Sequence, residues 1–161
     1  LGHLAMTLVG RSANLEWTHV PYKGGGPLLT DAVAGHVPLS IATVFVTKPQ
    51  VDNKRLRPLA VTSARRTSLM PDVPTFAESG FAGFEAPAWW AILGPARTPP
   101  EIVRRMNDEI NKAMRQPDMR SKLEAQGIEI LGGSPEAARD FIARQIDLWG
   151  KVVRENNIKP D

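Results

Sequence analysis

Apolar positions along the chain change their period near residue 84. Before that point, short apolar runs alternate with short helical patterns. His3–Val9 reads as the end of a helix, with Leu4, Ala5 and Leu8 on one face. Leu15–Val20 reads as a short strand, rich in β-formers (Trp17, Thr18, Val20) and closed by Pro21. Pro27–Ala34 predicts a compact helix with Pro27 at its first position. Leu28, Leu29, Ala32 and Val33 form its apolar face and Gly35 its stop. Val37–Val46 and Leu56–Val61 are nearly continuous apolar runs. Such runs suit strands buried on both faces, and so predict a parallel α/β layer. Ser63–Gly83, with Pro71 and Pro74, reads as turn-rich chain wrapping the surface.

After residue 84 the pattern becomes helical. Phe84–Leu93 looks extended and carries Trp89 and Trp90. Thr98 and Glu101 have the spacing of a capping box, with Pro99 at the first helical position. Ile102, Val103, Met106, Ile110, Ala113 and Met114 then recur at helical spacing as far as Arg115. Pro117 starts a second short helix that stops at Gly127. Ser134-Pro135 caps a last helix striped by Phe141, Ile142, Ile146, Trp149, Val152 and Val153. The pattern therefore divides the chain into an α/β lobe over residues 1–84 and a crossover strand with helices over residues 85–161. The helices of the second part offer three apolar faces and only one extended segment to cover them. They must pack on the first part's sheet or on a sheet outside this sequence.

Composition narrows the classes. The 161 residues suit one domain or slightly more, and the absence of cysteine removes disulfides, thiolate nucleophiles and cysteine metal sites. No apolar run approaches the about 18 residues of a membrane span. The net charge of +3 is small. Its two basic pairs, Arg65-Arg66 and Arg104-Arg105, lie away from interleaved aromatics, so no nucleic-acid partner is expected. The sequence opens on Leu1 with no secretory leader pattern, which reads as a processed or partial chain.

No catalytic constellation emerges, so an enzyme is not expected, and neither a metal nor a cofactor is implied. His3, His19 and His36 lack metal-ligand spacing, and Ser63 and Ser79 lack a nucleophile-elbow context. The informative stretch is Val20-Pro21-Tyr22-Lys23-Gly24-Gly25-Gly26-Pro27. A strand ends, three glycines follow and a helix opens. This arrangement reads equally as a tight turn or as a cradle of backbone N–H groups for an anion. It is not a Walker A loop and lacks dinucleotide-binding glycine spacing. Ligands in open parallel α/β sheets lie beyond the carboxyl ends of the strands, here Tyr22–Gly26, Ala42-Thr43 and Thr62-Ser63. Small residues and hydroxyls dominate there. The candidate set is the backbone amides of Gly24, Gly25 and Gly26, with Tyr22, Lys23, Thr43 and Thr62, and Trp89 as a pocket wall. Such a lining suits a small organic anion.

Several stretches, in order, resemble one family. They are Val20–Pro27, Leu59-Ala60-Val61-Thr62-Ser63, Pro71-Asp72-Val73-Pro74-Thr75 with Glu78-Ser79-Gly80, Phe84-Glu85 with Trp89, and Thr98-Pro99 with Asn107, Glu109-Ile110-Asn111. Gln126-Gly127, Gly132-Gly133-Ser134-Pro135-Glu136 and Trp149-Gly150-Lys151-Val152-Val153 continue the series. The chain resembles the solute-binding receptors of tripartite tricarboxylate transporters, the Bug or TctC-like extracytoplasmic receptors. The resemblance implies a type II periplasmic-binding-protein fold in which two α/β lobes clasp a carboxylate or dicarboxylate. It also implies delivery to membrane permease subunits and a periplasmic location. Members are about twice this length, so the chain would correspond to one lobe plus C-terminal helices that belong to the other. Ala42-Thr43 departs from forms with an acidic residue at this strand end, which favours plain carboxylates over amine-bearing ligands. Helices left without their lobe would be expected to self-associate through their apolar faces. The alternative reading is the effector-binding domain of a transcriptional regulator.

Overall fold

The computed structural model describes residues 1–158 and contains six helices. These are α1 (Gly2–Ala13), α2 (Gly25–Ala34), α3 (Val44–Asp52), α4 (Pro100–Met114), α5 (Pro117–Glu124) and α6 (Pro135–Glu155). The chain forms two compact units: Leu1–Ala88, to which Asn156 returns, and Trp89–Glu155.

The parallel sheet expected of the first part does not form among the described residues. Leu15–Val20, Leu56–Ala60 and Phe84–Leu93 join no ladder, and Val44 already opens α3 inside the apolar run Val37–Val46. A single parallel bridge joins Val61 to Thr75. The physical reason is that β-propensity needs neighbouring strands to become a ladder. Leu15, Trp17 and Val20 remain exposed. The segment that follows α1 instead turns back along it. Trp17 lies 3.2 Å from where a Cβ on Gly10 would stand, and the rings of His3 and His19 stack at 3.8 Å.

Helix ends follow local chemistry. After α1, Asn14 adopts φ 52; its N–H donates to Arg11 O and that of Leu15 to Gly10 O. After α2, Gly35 (φ 80) repeats the arrangement: its N–H bonds Ala32 O and that of His36 bonds Asp31 O. This is the paired closure that satisfies two otherwise orphan carbonyls. The capping box expected at Thr98 and Glu101 is not made. The Thr98 hydroxyl donates to Pro95 O, and α4 starts at Pro100 with Pro99 as its cap. Two adjacent prolines fix φ at 99 and 100, and no side chain caps the helix. At α6 the expected cap is present, with Ala137 N–H donating to Ser134 Oγ at 3.1 Å.

The turn-rich segment 63–83 lies mostly at the surface, as expected, but sends Met70 and Val73 into the first unit's core. Val61, Met70 and Val73 are buried together, with Val44 and Val51 of α3 packed on them. The loop is locked by Thr75, which is 2% exposed. Glu78 N–H donates to Thr75 Oγ1 (3.1 Å), and Thr75 N–H donates to Glu78 Oε2 (2.7 Å), a reciprocal cap outside any regular helix. Arg66 Nε reaches the same carboxylate at 2.9 Å. Arg66 and the Thr75 N–H together hold the Glu78 carboxyl below its ordinary value.

In the second unit, Trp89 packs edge-to-face on Phe141 at 5.3 Å, and Gln145 Oε1 accepts from the indoles of Trp89 (3.3 Å) and Trp149 (3.0 Å). Phe141, Gln145 and Trp149 thus share one stripe of α6 at four-residue spacing. The Asn111 amide pairs with Gly133 on both edges, donating to its carbonyl (2.9 Å) and accepting from its N–H (3.1 Å). Asn107 donates to the same carbonyl. This clamp ties α4 to the turn that opens α6.

Two outcomes are expected in chemical denaturation of the chain. Thr75→Ala lowers stability by about 1–2 kcal/mol through loss of the cap, whereas Thr75→Ser retains most of it. Asn111→Asp, which keeps the acceptor but sets a carboxylate against the Gly133 carbonyl, costs about 1–3 kcal/mol. Because the folded Glu78 pKa is depressed, its contribution is fully present above about pH 4.3 and fades as pH falls through the lower folded value.

Candidate ligand-binding site

Gly24 caps α2 with φ 105 and ψ 175, a conformation that side chains rarely adopt, and its N–H donates to Tyr22 O at 2.9 Å. That turn aims the start of α2. Gly25 and Gly26 form the first helical turn, two residues earlier than Pro27, the start expected from sequence. Their backbone N–H groups are the helix's leading donors, and Pro27 costs no hydrogen bond there. A Cβ on Gly26 would meet nothing within 4 Å, and one on Gly25 would meet only Val46 Cγ2 at 3.5 Å. The space beside both residues is therefore open.

Val46 belongs to the first turn of α3, so the N-terminal turns of α2 and α3 are neighbours. Thr43 is the cap residue of α3; its carbonyl takes the Thr47 N–H and hydroxyl, and its side chain does not bond the helix end. Two helix N-termini side by side concentrate unpaired donors and positive partial charge. Thr62 follows Val61, which packs with Val44 of the same α3 turn, and Thr62 O accepts from Ala86 N–H at 2.8 Å. Gly25 thus lies beside the first turn of α3, while Thr62 is placed only by its neighbour Val61, whose cluster Val44 packs against. Lys23 is exposed beside the turn. Trp89 belongs to the other unit, where Phe141 and Gln145 hold it.

Tyr22 has a partner that the sequence did not suggest. Its hydroxyl donates to Asp31 Oδ2 at 2.8 Å, and His36 Nδ1 lies 3.2 Å from the other carboxylate oxygen. Asp31 sits in the last turn of α2, where a negative charge opposes the helix dipole. The Tyr22 hydroxyl, then His36, offset this and hold the Asp31 carboxyl below its usual value, while the Asp31 hydrogen bond raises the Tyr22 phenol. The phenolic proton is thereby committed, leaving the hydroxyl oxygen as an acceptor. A nine-residue separation has no helical or strand register, so only the fold reveals this pair.

A polar groove elsewhere, lined by Asn107, Asp108, Asn111, Arg115, Gly133 and Ser134, belongs to the second unit. Its asparagines are those of the α4–α6 clamp, which gives that motif a structural role. Among the described residues, no group of three or more His, Cys, Asp or Glu is placed to hold a metal ion, and no helix is long and apolar enough to cross a membrane.

The glycine turn thus opens α2 beside the first turn of α3. Residues 2–158 match the family described as tripartite tricarboxylate transporter family receptor, and the chain belongs to that family. It is 41% identical over 154 residues to a protein from the tcbD-tcbE intergenic region of Pseudomonas sp. (strain P51), covering 95% of this chain and 46% of that one. It is 36% identical to BugT of Bordetella pertussis, over 98% of this chain and 48% of that one. A relative of about its own length, from the clcB-clcD intergenic region of Pseudomonas knackmussii, is 30% identical over 94% of this chain and 90% of that one. Among solved structures, R. palustris Rpa4515 with adipate superposes with a TM-score of 0.90 at 36% identity, over 99% of this chain and 54% of that one. MatC (Rpa3494) from Rhodopseudomonas palustris with bound malate gives 0.80 at 28% identity, over 95% and 53%. The chain thus spans about half the length of the first two relatives and of both solved structures. Its fold is the one these receptors share over that stretch.

Tyr22 is the only tyrosine in the sequence, so an ultraviolet titration reads it alone. A single tyrosinate transition is expected above the ordinary value of about 10, moving down towards it in Asp31→Asn. Coincident transitions in the two proteins would remove the hydrogen bond from solution.

Proposed function

We propose that the chain is half of an extracytoplasmic solute receptor that binds a small carboxylate or dicarboxylate in the periplasm and presents it to the membrane permease of a tripartite tricarboxylate-type transporter. The observation that carries this reading is the juxtaposed start of α2 and α3 at Gly25 and Val46. A carboxylate needs converging donors and positive potential without a bulky lining, and the two helix N-termini provide both. Gly24 shapes the turn; Gly25 and Gly26 donate through their amides; Thr43 and Thr62 add hydroxyls; Lys23 adds a nearby cation. Tyr22, anchored on Asp31, positions the loop. The adipate and malate bound in two similar receptors support a carboxylate as the solute class.

The test is calorimetric titration of adipate, malate and acetate into this chain joined to the remaining half of the adipate-bound R. palustris receptor. Gly26→Val is the informative variant, because a side chain there has no protein atom to displace. Dicarboxylate binding is expected to weaken by about tenfold or more in the variant, a difference of about 1.4 kcal/mol. Unchanged affinity would take the glycine turn out of the site, and absence of carboxylate binding by the parent hybrid would remove the receptor reading.

A further inference from the structure

Helix α1 makes two ring contacts with the chain that follows it. The indole of Trp17 lies 3.2 Å from where a Cβ on Gly10 would stand, and the rings of His3 and His19 stack at 3.8 Å with 9° between their planes. Positions 3 and 10 are seven apart and share one face of the helix. Positions 17 and 19 are two apart and fall on one side of an extended chain. Trp17 meets the later position of α1 and His19 the earlier, so the segment runs antiparallel down that face. Leu15–Val20 belongs to no helix and no ladder, and contacts of its side chains therefore set its course. His19 is the nearer of the two to the glycine turn, five residues before Gly24. Between them Pro21 fixes one backbone angle, the Tyr22 hydroxyl is tied to Asp31 at 2.8 Å, and the Gly24 N–H donates to Tyr22 O at 2.9 Å.

We propose that His3 and His19 are positioning residues of the candidate carboxylate site: as a stacked pair they fix, from α1, the chain that aims the leading amides of α2. The ligand in this statement rests on the receptor reading. The approach to Gly24–Gly26 is held from two sides, by α2 through Tyr22 and Asp31 and by α1 through His19 and His3. Amides at a helix start hold an anion only where the preceding turn leaves them pointing. Few free torsions separate His19 from Gly24, so a shift at His19 reaches the turn. Ring contact at 3.8 Å restricts both imidazoles to one arrangement, and its loss returns that freedom to the chain. Both histidines act through the backbone of residues 19–24.

The first measurement is NMR relaxation on this chain. Backbone order parameters at residues 20–24 are expected to match those of α2 in the parent and in His19→Phe, which keeps a flat ring on His3. They should fall below about 0.6 in His19→Ala while α2 itself is unchanged. The second is adipate titration into the single-chain hybrid with the R. palustris receptor. His3→Ala and His19→Ala are each expected to weaken binding about threefold to tenfold. The double variant should lose no more than either, because all three remove one stack, and His19→Phe should recover most of the loss. Unchanged order parameters in His19→Ala, losses that multiply in the double variant, or no recovery in His19→Phe each overturns the proposal. So does a first unit that unfolds in both alanine variants, or adipate affinity that ignores them all. If the parent hybrid binds no carboxylate, the receptor reading falls and the ligand with it. Order parameters that fall in His19→Ala and recover in His19→Phe then still uphold the stack as the anchor of the turn.

Discussion

Every backbone N–H and C=O that leaves water must find a partner, and in this chain that requirement is met almost wholly by helices and turns. With one β-bridge among the described residues, sheet pairing contributes little. The consequence is visible at three helix C-termini. α1 and α2 close through a left-handed residue and paired backward hydrogen bonds, and Gly127 does the same after α5. Where no helix is available, side chains imitate backbone: Thr75 and Glu78 cap one another's amides, and the Asn111 amide pairs with Gly133 as a neighbouring strand would. These motifs order loops that would otherwise have no partner.

The same requirement shapes the candidate site. The donors most difficult to satisfy within a helix are its first amides, and the chain sets two sets of them together at the starts of α2 and α3. Negative charge in the first unit is managed locally. Asp31 stands at the unfavourable end of α2 and is held by Tyr22 and His36, and Glu78 is held by Arg66 and Thr75. Each carboxylate is thereby anchored to a named partner, and Asp31 lies at the opposite end of α2 from the leading amides.

Signals confined to a few residues were legible from sequence. Gly35 and Gly127 stop helices as read, Ser134 caps α6, and the expected stripe along α6 holds at Phe141, Trp149 and Val152 but not at Ile146, which is exposed. The glycine turn was legible as a turn, though not that Gly24 alone needs a positive φ while Gly25 and Gly26 enter the helix. What could not be read depends on residues distant in the chain. The apolar runs at 15–20, 37–46 and 56–61 have strand composition, but composition cannot supply the neighbouring strand. The Tyr22–Asp31 bond, the Gln145 bridge between two indoles and the burial of Met70 and Val73 in a proline-rich loop have no period to betray them. Thr98 shows the opposite failure. Its spacing to Glu101 matches a capping box, yet a nearer carbonyl on Pro95 takes the hydroxyl first.

The contrast between ordered local motifs and exposed apolar chain has a common origin. Caps, reciprocal turns and four-residue stripes close over short loops and cost little chain entropy, so they persist wherever their own residues are present. A two-sided strand is different, because its stability resides in partners on both edges and both faces. Trp89 shows the distinction within a single dipeptide: its ring rests on Phe141, while Trp90 beside it is 70% exposed. A sequence that placed Trp90, Ile92 and Leu93 in open solvent for its own sake would be selecting against solubility. Trp89 marks where the chain's own residues supply a partner, and Trp90 where they leave the ring in water.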